Sequence, residues 1–121
     1  MAKIVIIDDV QEVRAAIRRI LERKGYEVIE ANNGRQGLKA VQQHAPHLVI
    51  TDILMPDMEG LETIQTLVKN KANIPIIAIT ASKETPFLKI ALKLGAVAGM
   101  YKPFSSKELL GTISNILGEA N

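Results

Sequence analysis

The amino-acid sequence predicts an α/β fold in which five parallel strands form a doubly wound sheet, with five helices on both faces. Five short apolar runs alternate along the chain with longer segments of helical period. Three of these runs are almost continuously apolar, which is typical of parallel strands covered on both faces. The length of 121 residues is close to the commonest size of one compact domain, so residues 1–121 are expected to form a single domain.

The apolar runs define the predicted strands. They are Lys3–Asp8, Tyr26–Glu30, His47–Asp52, Ile74–Thr80 and about Val97–Tyr101. Parallel neighbours are joined by right-handed crossovers, and each connection here is long enough to contain a helix. If the sheet has the flavodoxin-like strand order 2-1-3-4-5, the first, third, fourth and fifth strands lie side by side.

Apolar residues at helical spacing predict the helices between the strands, each with one face for the sheet. The clearest sets are Val13, Ile17, Ile20 and Leu21; Leu61, Ile64, Leu67 and Val68; and Leu109, Ile113, Ile116 and Leu117.

Capping signals agree with these helices. Thr85-Pro86 is interpreted as an N-cap followed by a first helical position. Ser105 and Glu108 have the spacing of a capping box, and Gly25 and Gly95 are predicted to end helices.

The amino-acid composition argues against several classes of function. Apolar residues make up 47% of the chain but aromatic residues only 3%, so few rings are available to stack on bases. The net charge is +2 without a run of like charges, and we expect no direct nucleic-acid binding. The chain has no cysteine and no apolar stretch of membrane-spanning length, so we expect a cytoplasmic protein without disulfides or membrane contact.

Polar residues lie at the carboxyl ends of four predicted strands. Asp8 ends the first strand and Asp9 follows it, Asp52 ends the third, Thr80 ends the fourth and Lys102 follows the fifth. Ligands of doubly wound folds bind beyond these strand ends, so the five side chains are expected to share one site. Three neighbouring carboxylates repel one another unless a cation neutralises them, and ligands that are all oxygens favour magnesium.

The same residues suit phosphoryl transfer. A carboxylate beside a magnesium ion can act as a nucleophile toward phosphorus. The Lys102 ammonium and the Thr80 hydroxyl are then expected to hold phosphoryl oxygens, because this reaction depends mainly on charge neutralisation and positioning.

Four motifs occur in order along the chain. They are Asp8-Asp9, the segment Asp52–Pro56 with Gly60, Thr80-Ala81, and Lys102-Pro103-Phe104 after Gly95-Ala96. Together they resemble the signatures of the response-regulator receiver domain of bacterial two-component systems, in its single-domain, chemotaxis-regulator-like form. The resemblance covers essentially the whole chain and implies a phosphorylation-dependent signalling switch.

The resemblance also assigns roles to the acidic residues. It implies that Asp52 is the phosphoacceptor, forming an aspartyl phosphate. Asp9, Asp52 and the backbone carbonyl of Leu54 are implied to bind magnesium directly, and Asp8 mainly through water.

Further expectations follow from the same resemblance. Thr80 and Lys102 are implied to hold the phosphoryl group, and a cis peptide is implied between Lys102 and Pro103. The phosphoryl donor is implied to be a histidine kinase or phosphotransfer protein. The downstream partner, or a second copy of the chain, is implied to use the fourth helix, the fifth strand and the fifth helix. The protein is implied to catalyse only its own phosphorylation and slow dephosphorylation.

One position departs from the receiver pattern. Gly99 stands where family members commonly carry an aromatic residue, and Tyr101, two residues on, is expected to substitute only in part. Leu54 and Ser82 are implied to flank the path of the attacking water, and the bulky apolar Leu54 is predicted to lengthen the lifetime of the aspartyl phosphate.

Two other functions remain open. One is a phosphate-independent, receiver-like scaffold or dimerisation module, which Gly99 favours and the complete set of acidic residues and lysine opposes. The other is a phosphohydrolase of the haloacid-dehalogenase type, which also uses an Asp nucleophile. It ranks last, because that family needs Asp-x-Asp where this chain has Asp8-Asp9-Val10-Gln11.

Overall fold

The computed structural model describes residues 2–55, 59–70, 73–83 and 86–119. The strands are β1 (Lys3–Ile7), β2 (Glu27–Ala31), β3 (Leu48–Asp52), β4 (Ile76–Thr80) and β5 (Ala98–Tyr101). The helices are α1 (Gln11–Arg23), α2 (Gly34–His44), α3 (Glu59–Lys69), α4 (Phe87–Leu94) and α5 (Ser106–Leu117). All strand pairs are parallel and the sheet order is β2-β1-β3-β4-β5, so the predicted fold class is confirmed.

The strand ends differ from the prediction by one or two residues. Strand β2 runs on to Ala31, because Ala31 pairs with Ile7 of β1. Strand β1 ends at Ile7, one residue before Asp8. The predicted start of β4 at Ile74 is also wrong, since regular pairing with β3 begins only at Ile76.

The sheet separates two aliphatic core clusters with the period of two that strands impose. In β1, Ile4 and Ile6 face one cluster, whereas Val5 and Ile7 face the other. Helices α1 and α5 cover the first face, and α2, α3 and α4 cover the second. Every residue of β3 and β4 is buried, as the continuous apolar runs predicted.

Helix α4 begins one residue later than predicted. Pro86 lies at the N-cap position with φ −75° and ψ 54°, and the helix starts at Phe87. Proline keeps a φ compatible with a helix, but this ψ is not helical. The predicted N-cap, Thr85, lies outside the described residues.

Other predicted caps are confirmed. The Ser105 side chain accepts a hydrogen bond from the Glu108 backbone N–H at 3.0 Å. Gly25 follows α1 with φ +96°, and Gly95 caps α4 with φ +124°, a region that side chains rarely adopt. None of the helices among the described residues is both long enough and apolar enough to cross a membrane.

Candidate phosphoryl-transfer site

The sheet order brings together the side chains at the carboxyl ends of four strands. Carboxylate oxygens of Asp8, Asp9 and Asp52 all lie within 4.8 Å of one another. The Lys102 Nζ donates to Asp8 Oδ2 at 3.3 Å and lies 3.5 Å from Asp52 Oδ2. Asp8, Asp52 and Thr80 are buried, whereas Asp9 is exposed. The site is therefore a carboxylate cluster with a buried floor and one open side.

Backbone bonds place each of these residues. The Asp8 N–H donates to the Ala31 carbonyl at 3.1 Å, and its Oδ1 accepts from the Val10 N–H at 2.9 Å, which starts the turn into α1. The Lys102 N–H donates to the Thr80 carbonyl at 2.8 Å, which sets the lysine beside the end of β4. The implied cis peptide between Lys102 and Pro103 is present.

The electrostatics of the site centre on Asp52. Burial and the negative charge of Asp8 together raise the pKa of Asp52 from 3.8 to about 6, although Lys102 opposes both effects. Among the described residues, Asp52 Oδ1 is a buried side-chain atom without a hydrogen-bond partner. An unpaired buried carboxylate oxygen is costly and indicates that a ligand belongs there.

These residues fit a magnesium ion. The clustered side-chain ligands are carboxylate oxygens, which suit a hard cation. The exposed Asp9 leaves one side of the site open to water, and magnesium usually keeps several waters when it binds to proteins.

The Thr80 hydroxyl has capacity for a further bond. Its Oγ1 accepts from the Ser82 N–H at 3.2 Å, which leaves the hydroxyl hydrogen free for donation to a ligand. The Thr80 side chain is fully buried at the end of β4, so the atoms packed around it restrict the orientation of its hydroxyl group.

The segment after Asp52 lies close to the start of α3. A Cβ added at Gly60 would lie 2.1 Å from the Asp52 carbonyl oxygen, so glycine permits this close approach. Leu54 follows Ile53 in the same segment, with 39% of its side chain exposed.

Three charged residues beside the site were missed by sequence reasoning. The Arg14 Nη1 donates to the Asp8 carbonyl at 2.6 Å, and its Nε donates to Glu30 Oε1 at 3.0 Å. The Arg18 Nη1 donates to Glu30 Oε2 at 2.7 Å, and this bond is the main reason that the pKa of Glu30 is lowered. The spacing of Arg14 and Arg18 indicates a shared helix face, but no motif in the sequence points to Glu30.

Gly99 and Tyr101 both lie on β5, at the edge of the sheet. A Cβ added at Gly99 would lie 3.1 Å from Leu88 Cδ2, so α4 packs directly over this glycine. Tyr101 is 40% exposed, and the Lys83 Nζ lies 5.5 Å from the centre of its ring.

Residues 4–114 match the family described as the response regulator receiver domain. The chain belongs to this receiver family. The alkaline phosphatase synthesis transcriptional regulatory protein PhoP of Bacillus subtilis is 35% identical over 95% of this chain and 48% of its own length. Sporulation initiation phosphotransferase F of the same organism is 31% identical over 95% of this chain and 93% of its own length.

Solved structures agree with this membership. A CheY-like receiver domain protein from Methanospirillum hungatei superimposes with a TM-score of 0.91 at 30% identity, covering 98% of this chain and 94% of that one. The chain spans about half the length of several curated relatives that it matches, PhoP among them. Receiver domains serve phosphorylation-based two-component signalling, and their acidic pockets bind magnesium. Membership of the receiver family therefore favours a signalling function over the phosphohydrolase alternative.

Proposed function

We propose that this receiver domain is a magnesium-dependent switch that accepts a phosphoryl group on Asp52 from a histidine kinase or phosphotransfer protein in the cytoplasm. The observation that carries the proposal is the position of the buried Asp52 carboxylate. It lies between two other carboxylates, Asp8 and Asp9, and the Lys102 ammonium.

Asp9, Asp52 and the backbone carbonyl of Leu54 would hold magnesium directly, and Asp8 would contribute mainly through water. The ion would neutralise the charge of the carboxylates and of the incoming phosphoryl oxygens. The unpaired Asp52 Oδ1 supports this assignment, because a ligand there would satisfy a buried oxygen that has no partner among the described residues.

In the transfer step, an Asp52 oxygen attacks the phosphorus of a phosphohistidine. The new O–P bond forms as the P–N bond breaks, and the histidine nitrogen keeps the electron pair. Lys102 would turn from the carboxylates to a phosphoryl oxygen, and the Thr80 hydroxyl would donate to another. The domain thus catalyses only its own phosphorylation and slow dephosphorylation.

The new bonds are strong enough to operate a switch. Hydrogen bonds to charged groups contribute about 1.5 to 3 kcal/mol each, and two of them form at Thr80 and Lys102. Inverting a 1:99 equilibrium requires about 5.5 kcal/mol, so the two quantities are comparable.

The surface of α4, β5 and α5 would present the change to a downstream protein or to a second copy of the chain. Three large apolar side chains are exposed on α4, on β5 or between them: Leu92, Val97 and Tyr101. Lys83, Lys89 and Lys93 lie exposed on or near the same elements. Apolar exposure rimmed by charge is typical of a protein interface.

The test is the intact mass of the protein after incubation with phosphoramidate and magnesium. We expect wild type to gain one hydroxylamine-labile phosphoryl group. Asp52→Asn and a metal-chelated wild-type sample should gain none. A folded wild-type protein that stays unmodified would contradict the proposal.

The phosphate-independent scaffold is the second candidate, and Gly99 is the observation that favours it. With Leu88 packed over Gly99, no aromatic ring is available at this position to follow Thr80. The scaffold would bind its partner equally well before and after treatment with phosphoramidate.

A further inference from the structure

The backbone of the acidic pair is held from the side of α1 and β2. The Arg14 Nη1 donates to the Asp8 carbonyl at 2.6 Å, the shortest side-chain hydrogen bond to a backbone carbonyl among the described residues. This carbonyl belongs to the peptide unit that joins Asp8 to Asp9. Fixing its direction therefore fixes the path of the chain into Asp9.

The position of the Asp9 side chain depends on this backbone path more than the position of Asp8 does. Asp8 is anchored by its own N–H and by its side chain, which bonds to Val10 and Lys102. The Asp9 side chain is exposed and makes no hydrogen bond among the described residues. Its direction toward the carboxylate cluster comes from the backbone alone.

Arg14 is itself held in place. Its Nε donates to Glu30 Oε1 at 3.0 Å, and Arg18 holds the other oxygen of that carboxylate at 2.7 Å. Only 13% of the Arg14 side chain is exposed. The Glu30 carboxylate also offsets the positive charge of Arg14, which would otherwise disfavour a cation at the neighbouring acidic site.

We propose that Arg14 is a positioning residue for the metal side of the site, orienting the Asp8–Asp9 peptide through the Asp8 carbonyl while Glu30 anchors it and balances its charge. The inference rests on the proposed function, because it assumes that magnesium binds to the acidic cluster. Among the described residues, Arg14 makes no hydrogen bond or ion pair with Asp52, Thr80 or Lys102, so its effect should fall on metal affinity.

The decisive comparison is between Arg14→Met and Arg18→Met. Both remove one positive charge from the same network, but only Arg14 contacts the Asp8 carbonyl. Loss of a nearby cation by itself would strengthen magnesium binding. Loss of positioning would weaken it, so the two explanations predict opposite signs.

Magnesium binding is measured by calorimetric titration, and phosphorylation by the phosphoramidate rate at increasing magnesium. We expect Arg14→Met to bind magnesium about tenfold more weakly than wild type, as for other residues that orient metal ligands. Arg18→Met should change the affinity by less than about twofold. At saturating magnesium, Arg14→Met should recover a phosphorylation rate within about twofold of wild type. Arg14→Lys, which keeps the charge and one donor group, should recover part of the affinity.

An Arg14→Met protein that binds magnesium as tightly as wild type, or more tightly, overturns the inference while leaving the proposed function intact. A wild-type protein that neither binds magnesium nor accepts phosphate overturns the proposed function instead. If Arg14→Met does not fold, Arg14→Lys decides, since it keeps the charge but changes the donor geometry at the Asp8 carbonyl. Weaker magnesium binding than wild type in Arg14→Lys supports the inference, and unchanged affinity contradicts it.

Discussion

At the scale of single residues, the buried Asp52 carboxylate is the part of the site that lowers the stability of the folded protein. It is buried beside Asp8, and Lys102 offsets only part of this cost. A carboxylate in such a place destabilises the metal-free protein when it is ionised, because burial and like charge both disfavour the charged form. The proposed role of Asp52 as the phosphoacceptor accounts for a carboxylate in this destabilising place.

The raised pKa of Asp52 predicts how the stability of the metal-free protein varies with pH. The pKa of Asp52 is about 6 when folded, against 3.8 as the ordinary value. Since the folded pKa is higher, stability falls as pH rises between these values, and the full loss is present above pH 6. Asp52→Asn should therefore be more stable than wild type by about 3 kcal/mol at pH 7.5, and the difference should shrink toward pH 4.

The measurement is urea unfolding with a chelator at both pH values. Glu27→Gln, which neutralises an exposed carboxylate on β2, serves as the control and should show little change at either pH. Equal stabilities of Asp52→Asn and wild type at pH 7.5 would contradict the prediction.

Leu54 is predicted to slow the loss of the phosphoryl group. It lies two residues after Asp52 and is 39% exposed. A bulky apolar side chain at this position is expected to hinder the attacking water. Leu54→Asn should shorten the lifetime of the phosphorylated form by about threefold or more, equivalent to a barrier lowered by ~0.7 kcal/mol.

The lifetime is followed by intact mass after removal of phosphoramidate. Leu92→Asn is the matched control, because it makes the same change at an exposed leucine on α4. A lifetime in Leu54→Asn equal to or longer than that of wild type would refute the role of Leu54.

At the scale of elements, the start of α3 is packed unusually close to the end of β3. An added Cβ at Gly60 would lie 2.1 Å from the Asp52 carbonyl oxygen and 2.6 Å from the Ile53 Cα. Neither backbone atom can move without moving the site. The contact therefore links the position of the helix to that of Asp52.

Two glycine-to-alanine changes should have opposite signs. Gly60→Ala should destabilise the protein by about 1 to 3 kcal/mol, because the backbone must shift to accept the methyl group. Gly111→Ala, in α5, meets nothing within 4 Å and should stabilise the protein by about 0.5 to 1 kcal/mol through helix propensity. Urea unfolding measures both, and stabilisation by Gly60→Ala would show that the close approach is not required.

At the scale of the whole molecule, the two core clusters share the same sheet. Successive residues of the central strands point alternately into one cluster and the other. Damage to either face therefore weakens the strands that support both. We expect the described part of the chain to unfold as one cooperative unit.

Two core substitutions test this cooperativity. Ile64 in α3 and Ile113 in α5 are fully buried on opposite faces, so either change to alanine should cost about 2 to 5 kcal/mol. Hydrogen exchange followed by mass spectrometry should show the same loss of protection in α3 and α5 for each variant. A loss confined to the substituted face would indicate two independent units.

Much of the fold and the positions of the main polar residues could be read from local pattern. Continuous apolar runs indicate buried parallel strands, and helical periodicity places one apolar face on each helix between them. Parallel strands end at the same edge of a sheet, so Asp8, Asp52, Thr80 and Lys102 could be assigned to one region without coordinates. These properties depend on the order and spacing of residue types along the chain, which is why the sequence was sufficient for them.

Other properties depend on distances between residues far apart in the chain. The support of the Asp8 carbonyl by Arg14, and of Arg14 by Glu30, exists only because α1 packs against the end of β2. The raised pKa of Asp52 and the close approach at Gly60 likewise follow from burial and packing. Coulomb and contact energies change steeply over a few ångströms. A pattern of residue types does not contain those distances, and the packed tertiary structure does.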